Sequence, residues 1–434
     1  MNRTSSAGRF GLHHRFRLLL GLATFSLALS VQAAQSSQTD EAAPADKTAA
    51  TDPTMSYAQR QKLDLSEYTV TDPDASYFDV KARMAMLQRT DNDLLQYNRD
   101  QLKHGPSCRQ ELSKPPLDSV IRIPGYYPQP KAWELASEPL FDFEDTVSNL
   151  AGSYVASGDD YYADCLVQFL DKWATQDALS QFYYNRLEPQ GWYSTESMMF
   201  AAAMSYSIVR PAVAAKRPEA IERINHWLNT LAHKHSSIRG GDPSCCNNHF
   251  YRRALYASMI GVLTDDDELF QFGISAIYSA LNDLTPRGAL PHEMARGRRA
   301  SHYQNYALLY LVNIMQVASR QGYDLFDFEY HGHTIDDAVQ FALDTFDDPA
   351  ALGDMATHAQ YYGFLDDEQY LAWMEIYLSH RSDSRVSHYV SQKRPIDNRS
   401  AGGYVTFYFM NPKAQSRALR EPDEKELATF EPDA

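Results

Sequence analysis

The 434-residue chain is short of cysteine, positive charge and long apolar runs, and each shortage excludes something. Its four cysteines, Cys108, Cys165, Cys245 and Cys246, show no C-x-x-C spacing, which argues against a zinc site. Lysine and arginine total 40 against 56 aspartates and glutamates, and the resulting charge of −16 disfavours nucleic acid and anionic membranes as partners. No apolar run reaches the roughly 20 residues that a bilayer-spanning helix needs. The nearest approach, Leu18 to Val31, follows Arg3, Arg9, Arg15 and Arg17 and leads into Gln32-Ala33, the three-part layout of a secretory signal. Cleavage near Ala33 and export to the periplasm or beyond are therefore expected, with no membrane contact by the mature chain. Cleavage removes four arginines and no acids, which takes the charge to −20. In an oxidising compartment four cysteines suggest bridges, and three pairings are open.

Composition sets the outer boundaries. Residues 1–33 read as the signal. From Ala34 to about Thr54 there is almost nothing apolar and large, and we assign 34–75 to a disordered linker. Residues 413–434 read as an acidic, solvated tail. Between them, 76–412 is expected to form one domain.

Helical periodicity dominates that domain. Tyr77–His104, Phe143–Ser157, Asp159–Gln176, Thr195–Val209, Pro218–His235, Asn248–Leu263, Asp266–Leu284, Ala300–Gly322, Ile335–Phe346 and Asp367–His380 all repeat apolar residues at three- and four-residue spacings. Pro211 is read as closing one segment and Pro218 as opening the next, while Gly322 follows a last turn and Asp265 to Asp267 offer caps. Only Gly403–Met410, where Val405, Phe407 and Phe409 alternate, predicts a strand. The fold class is all-α, with helical hairpins around a shared core. No strict repeat is present.

Two clusters can carry chemistry. The first is Cys245-Cys246-Asn247-Asn248-His249-Phe250-Tyr251-Arg252-Arg253. Either asparagine can simply cap the following helix. A histidine at a helix N-terminus, however, lies in a positive partial field that favours its neutral, basic form. The second cluster runs from Leu290 to Tyr306 and holds Arg296, Arg298, Arg299, His302 and Tyr303. Its arginines can grip a carboxylate through a bidentate fork. The bland reading is a solvated basic turn followed by a core stripe at Tyr303, Tyr306 and Tyr310. His292-Glu293 lacks the second histidine of a zinc protease motif.

Asn248-His249, followed 47 residues later by Arg296 and seven further on by Tyr303, lies within NNHFY and LPHEMARGRRASHYQNYAL. These segments resemble the mannuronate-specific alginate lyase family, polysaccharide lyase family 5 and its relatives. KRPIDNRSAGGYVTFYF is similar to the family's closing segment, and the likeness runs roughly from Cys108 to Met410. The resemblance implies an (α/α) toroid with a deep cleft and an anionic polysaccharide as substrate. It implies that Asn248 and Arg296 neutralise the substrate carboxylate, that His249 assists as base or charge-neutralising partner, and that Tyr303 is catalytic acid and base. It also implies a lid near Tyr126, Tyr127 and Lys131, with Lys131 as a substrate contact, and pairs Cys245 with Cys246 and Cys108 with Cys165. Asn247, Arg299 and His302 are further candidate substrate contacts beside the matched motifs.

The chemistry fits those residue types. The C5 proton of a uronate is weakly acidic because the neighbouring carboxylate already carries charge, so an arginine and an amide aimed at that group stabilise the enolate, by about 3 kcal/mol per donor. No metal or other cofactor is called for. In mannuronate the C5 hydrogen and the C4 oxygen lie on one face, so one tyrosine can serve both, and cationic neighbours should draw a phenol down from its ordinary pKa near ~10. Glucuronate shares that arrangement, which keeps a glucuronan lyase as the alternative. Trp192-Tyr193 can form a sugar-stacking platform, with Trp192 as the contact, or pack in the core. His331 with His333, and His233 with His235, have a spacing that does not converge on one helix face, so they are poor metal ligands. Two other classes compete: an inverting glycoside hydrolase using Glu293 and Glu196 some ~6.5–9.5 Å apart, and a non-catalytic polysaccharide-binding protein. The chain is expected to act as a monomer.

Overall fold

The computed structural model describes residues 54–117, 119–126, 128–181, 189–237 and 244–414. Among the described residues nine helices build the body: α1 (Pro130–Ser157), α2 (Asp160–Thr175), α3 (Gln190–Val213), α4 (Pro218–Ser236), α5 (Asn248–Thr264), α6 (Asp267–Asp283), α7 (Ala300–Arg320), α8 (Ile335–Asp347) and α9 (Ala372–His380). Their burial sorts them into two layers. In α5 every residue from Phe250 to Leu263 is buried, and α3 and α7 are nearly as enclosed. A helix apolar on all sides belongs inside. By contrast α4 buries a stripe of Ile224, Trp227, Leu228, Leu231 and Ala232, and α8 a stripe from Ile335 to Leu343, as outer helices should. Packing follows the same division. The inner helices α1, α3, α5, α7 and α9 each pack on the next, while α2 lies on α3, α4 on α5 and α6 on α7. Hairpins wound this way form the (α/α) toroid.

Close approach within a hairpin is set by small residues. A Cβ added at Gly273 of α6 would lie 2.3 Å from the Cβ of Ser258 in α5, so only glycine fits there. The turn between these helices uses Asp265 in the left-handed region and Asp266 as an N-cap that accepts from the Leu269 amide.

The ring closes through distant parts of the chain. The helical turn Val405–Phe409 packs on α9 and on the helix Asp93–Leu102, which itself packs on α1. Arg83 donates to the carbonyls of Phe407 (2.7 Å), Met410 (2.9 Å) and Thr406 (3.3 Å). Ser148 of α1 donates to the Arg399 carbonyl at 2.9 Å, and the Tyr404 hydroxyl bonds Asn149.

Several expectations are corrected. Gly403–Met410 is not a strand, and among the described residues the only β pairings are the isolated bridges Tyr330–His333 and Asn398–Gly403. Val405 to Phe409 are all buried, so their alternation does not mark two faces. Local bonds such as Met410 N–H to Thr406, together with Arg83, satisfy their backbone without a sheet. Tyr77–His104 is two helices, Val80–Leu87 and Asp93–Leu102, because Asn92 caps the second by accepting from the Leu95 amide. Pro211, read as closing a segment, lies inside α3, which runs on to Val213. Residues 54–75, assigned to the linker, are packed: Tyr68 is buried, Met55 N–H donates to Asp283 (2.6 Å) and Thr71 N–H to Gln321 (2.8 Å). The signal, residues 34–53 and the tail beyond 414 lie outside the described residues. Cys108 is bonded to Cys165 and Cys245 to Cys246, as the resemblance implied. Among the described residues no helix is long and apolar enough to cross a membrane.

Candidate active site

The site starts at the vicinal bridge Cys245–Cys246, whose Cys245 carbonyl accepts from Arg60 at 3.0 Å. Asn247 then caps α5, its side chain accepting from the His249 amide at 3.0 Å. This is the capping role weighed for it from the sequence. Asn248 does something else. It is buried, and its backbone N–H and side-chain amide donate to the two oxygens of Glu293 at 2.6 and 2.9 Å. Glu293 lies in the turn Pro291–Met294, and Arg296 follows directly. The Arg296 guanidinium stacks 3.8 Å from the centre of the Tyr303 ring, and its charge acts on both Glu293 and His249. The structure thus brings Asn248, His249, Arg296 and Tyr303 together, with Glu293 as the joint between the two clusters. Burial pushes the Glu293 carboxyl up to about 7, against the pull of the Asn248 bonds and Arg296.

Beneath His249 lies a charged network. Glu196 of α3 is fully buried and accepts from Arg252 (2.6 and 3.1 Å), Arg253 (3.0 Å) and the Trp192 indole (2.6 Å). Burial alone would raise its pKa, but Arg253 and Arg252 outweigh that and hold it well below the usual carboxylate range. Arg252 also approaches His249 Nδ1 at 3.4 Å, and the Tyr193 ring stacks on the imidazole at 4.0 Å and 18°. Burial, reinforced by the Arg252 charge, pushes His249 well below the ordinary histidine range, so it is neutral at pH 7.

Tyr193 and Arg252, which touch His249, also line a cleft of about 420 Å³ together with Trp133, Glu144, Tyr306 and Arg399, among others. Larger cavities, of about 510 and 840 Å³, lie elsewhere and are lined by neither Tyr193 nor Arg252. Tyr126 is 45% exposed at the cleft's edge, its ring edge-on to Trp133, and Lys131 is exposed near the start of α1. Tyr127 lies outside the described residues. Arg299 stacks on Tyr361. His302 is packed among Tyr306, Phe364 and Tyr370, and Trp192 is buried against His235, so both are core contacts in this structure. Among the described residues no three His, Cys, Asp or Glu side chains gather as metal ligands would.

Sequence reading did not single out Glu144, Arg399 or Arg252, and it weighted Trp192 over Tyr193. The signal that could have separated the last pair is helical phase: neighbours on a helix point about 100° apart, so when Trp192 enters the core, Tyr193 faces the cleft.

Residues 84–352 match the family described as Alginate lyase. The chain is 30% identical over 303 residues to a polysaccharide lyase of Stenotrophomonas maltophilia strain K279a, covering 67% of this chain and 88% of that protein. Its structure is similar to alginate lyase A1-III from Sphingomonas species A1, with 32% identity, a TM-score of 0.73 and coverage of 81% and 100%. A variant of that enzyme complexed with a tetrasaccharide matches at 33% identity and a TM-score of 0.72, over 81% and 100% of the two chains. The chain is a polysaccharide lyase and belongs to the alginate lyase family.

Proposed function

We propose that this lyase cleaves mannuronate-rich alginate by metal-independent syn β-elimination, as an exported monomer. The observation that carries the reading is Arg296 stacked on Tyr303 beside the Glu293-anchored Asn248. Asn248, Arg296 and neutral His249 meet the carboxylate of the bound sugar and stabilise charge as the enolate forms. Tyr303, as phenolate, takes the C5 proton. The electron pair left at C5 becomes the C4–C5 double bond as the C4–O bond breaks. The same tyrosine then returns its proton to the departing oxygen. The products are a chain with a new hydroxyl end and a chain with a 4,5-unsaturated uronate, and no water is consumed.

The charge −20 expected of the mature chain opposes a polyanion, but Arg252 and Arg399 place positive charge on the cleft wall, and Arg296 lies on Tyr303. The tetrasaccharide held by a related enzyme supports an oligomeric stretch of substrate here. The hydrolase alternative is disfavoured, because Glu196 is buried and ionised between two arginines and both Glu293 oxygens are taken up by Asn248. Glucuronan remains the second reading, since its C4 and C5 match those of mannuronate.

The test is ultraviolet absorbance of the unsaturated ends, measured side by side on polymannuronate, polyguluronate and glucuronan. We expect polymannuronate to be cut fastest and Tyr303→Phe to lose on the order of 10²–10⁴ in rate with folding intact. Near-parental activity of Tyr303→Phe sinks the acid–base role, and faster cleavage of glucuronan sinks the substrate.

A further inference from the structure

We propose that Arg252 is a positioning and specificity-determining residue: clamped by Glu196, it donates to Nδ1 of His249 and fixes the imidazole as the Nε2–H tautomer, making His249 a hydrogen-bond donor and not a proton acceptor.

A guanidinium has five N–H donors and no acceptor. Any hydrogen bond between Arg252 and Nδ1, which it approaches at 3.4 Å, therefore requires the lone pair on Nδ1, and the ring proton must be on Nε2. The guanidinium has little freedom to turn away. Its Nε and one terminal nitrogen both bond the same Glu196 oxygen, at 3.1 and 2.6 Å. Glu196 is itself fixed by Arg253 at 3.0 Å and by Trp192 at 2.6 Å. The imidazole is held too: Tyr193 stacks on it at 4.0 Å, and a ring flip would exchange Nδ1 for a carbon and forfeit the Arg252 contact. Nε2 has no protein partner among the described residues. The charged groups acting on this ring are Arg252, Glu196, Arg253 and Arg296. Burial and the arginines keep it from taking a second proton at neutral pH, so the tautomer decides what it can do.

The consequence for specificity rests on the reading that Tyr303 moves the C5 proton. In mannuronate that proton is on the tyrosine's side, and His249 need only donate to the substrate. Guluronate is the C5 epimer, with its proton on the opposite face, where a base other than Tyr303 must take it. A histidine presenting Nε2–H there offers a hydrogen where a lone pair is needed. Arg252 thus closes the guluronate route by choosing the tautomer.

Protein labelled with 15N at histidine alone, recorded by long-range 1H–15N correlation at pH 7 to 8, reads the tautomer directly, with His249 signals assigned by their loss in His249→Ala. We expect Nδ1 at an unprotonated and Nε2 at a protonated frequency. The reverse pattern, or a doubly protonated ring, overturns the proposal. In Arg252→Met the two nitrogens should move toward averaged values and polymannuronate turnover should fall about 10-fold or more, the scale on which positioning partners of functional histidines act. Arg252→Lys, which still donates, should keep the Nε2–H pattern and recover part of the rate. An unchanged pattern in folded Arg252→Met also overturns the proposal, and if that variant does not fold, the parent and Arg252→Lys spectra decide. Failure of the broader reading is separable: an active Tyr303→Phe with the Nε2–H pattern intact removes the tyrosine mechanism and leaves the tautomer assignment standing.

Discussion

Replacing Glu144 with glutamine should flatten the pH dependence of stability and remove a pH-dependent brake on substrate binding. Glu144 is 2% exposed, and burial pushes its carboxyl up to about 7 despite Arg399, Ser197 and Ser400 nearby. Against an ordinary value of 4.5, the difference of roughly 2.5 units at about 1.4 kcal/mol each comes to ~3 kcal/mol. Because the folded value is the higher one, the folded chain keeps a proton that the unfolded chain has released between pH 4.5 and about 7. The stabilisation is therefore fully present below pH 4.5 and is lost as the pH rises through 7. Glutamine cannot ionise, so urea unfolding with the disulfides intact should show the variant gaining on the parent by up to ~3 kcal/mol from pH 4 to pH 8. Glu293 titrates in the same range and is common to both proteins, so the difference isolates Glu144. The carboxylate lines the cleft, so its ionisation adds like charge where a polyanion binds, and the parent's KM on polymannuronate should climb between pH 6 and 8 more steeply than the variant's. Parallel stability curves for the two proteins would refute the reasoning.

Glu196→Ala leaves two buried guanidinium groups without their shared partner and should cost about 3–5 kcal/mol, read as a lowered Tm. Glu293→Gln keeps an acceptor for only one of the two Asn248 donors, and kcat/KM on polymannuronate should drop on the order of 10–100-fold with little change in Tm. Gly273→Val drives a side chain into Ser258 and separates α5 from α6, with an expected loss of about 1–3 kcal/mol in urea unfolding.

The helical hairpins were legible because their signal is local: α4 and α8 carry one apolar stripe each, and α6 carries a cap in Asp266. What failed was decided by tertiary surroundings. Pro211 is ordinarily a helix breaker, yet α3 runs through it to Val213. Residues 405–409 alternate like a strand but are all buried, so periodicity had no solvent face to report. At the site, Asn248, His249, Arg296 and Tyr303 were found through their motifs. Their neighbours differ by helical phase alone: Asn247 caps where Asn248 reaches Glu293, and His302 packs inward where Tyr303 meets Arg296. Glu144 and Arg399 left no signal because they are 255 positions apart and share a wall only in three dimensions.

That seam has a consequence for how the enzyme comes into being. Contacts such as Ser400 with Glu144, 256 positions apart, form only after nearly the whole circuit of hairpins has been wound. The entropy of bringing such remote segments together is offset last, so an arc from α3 to α7 can already present the tyrosine, arginine and histidine while one flank of the groove is still open to solvent. Both walls of the groove then depend on the closed circuit, whose end Arg83 ties to its beginning.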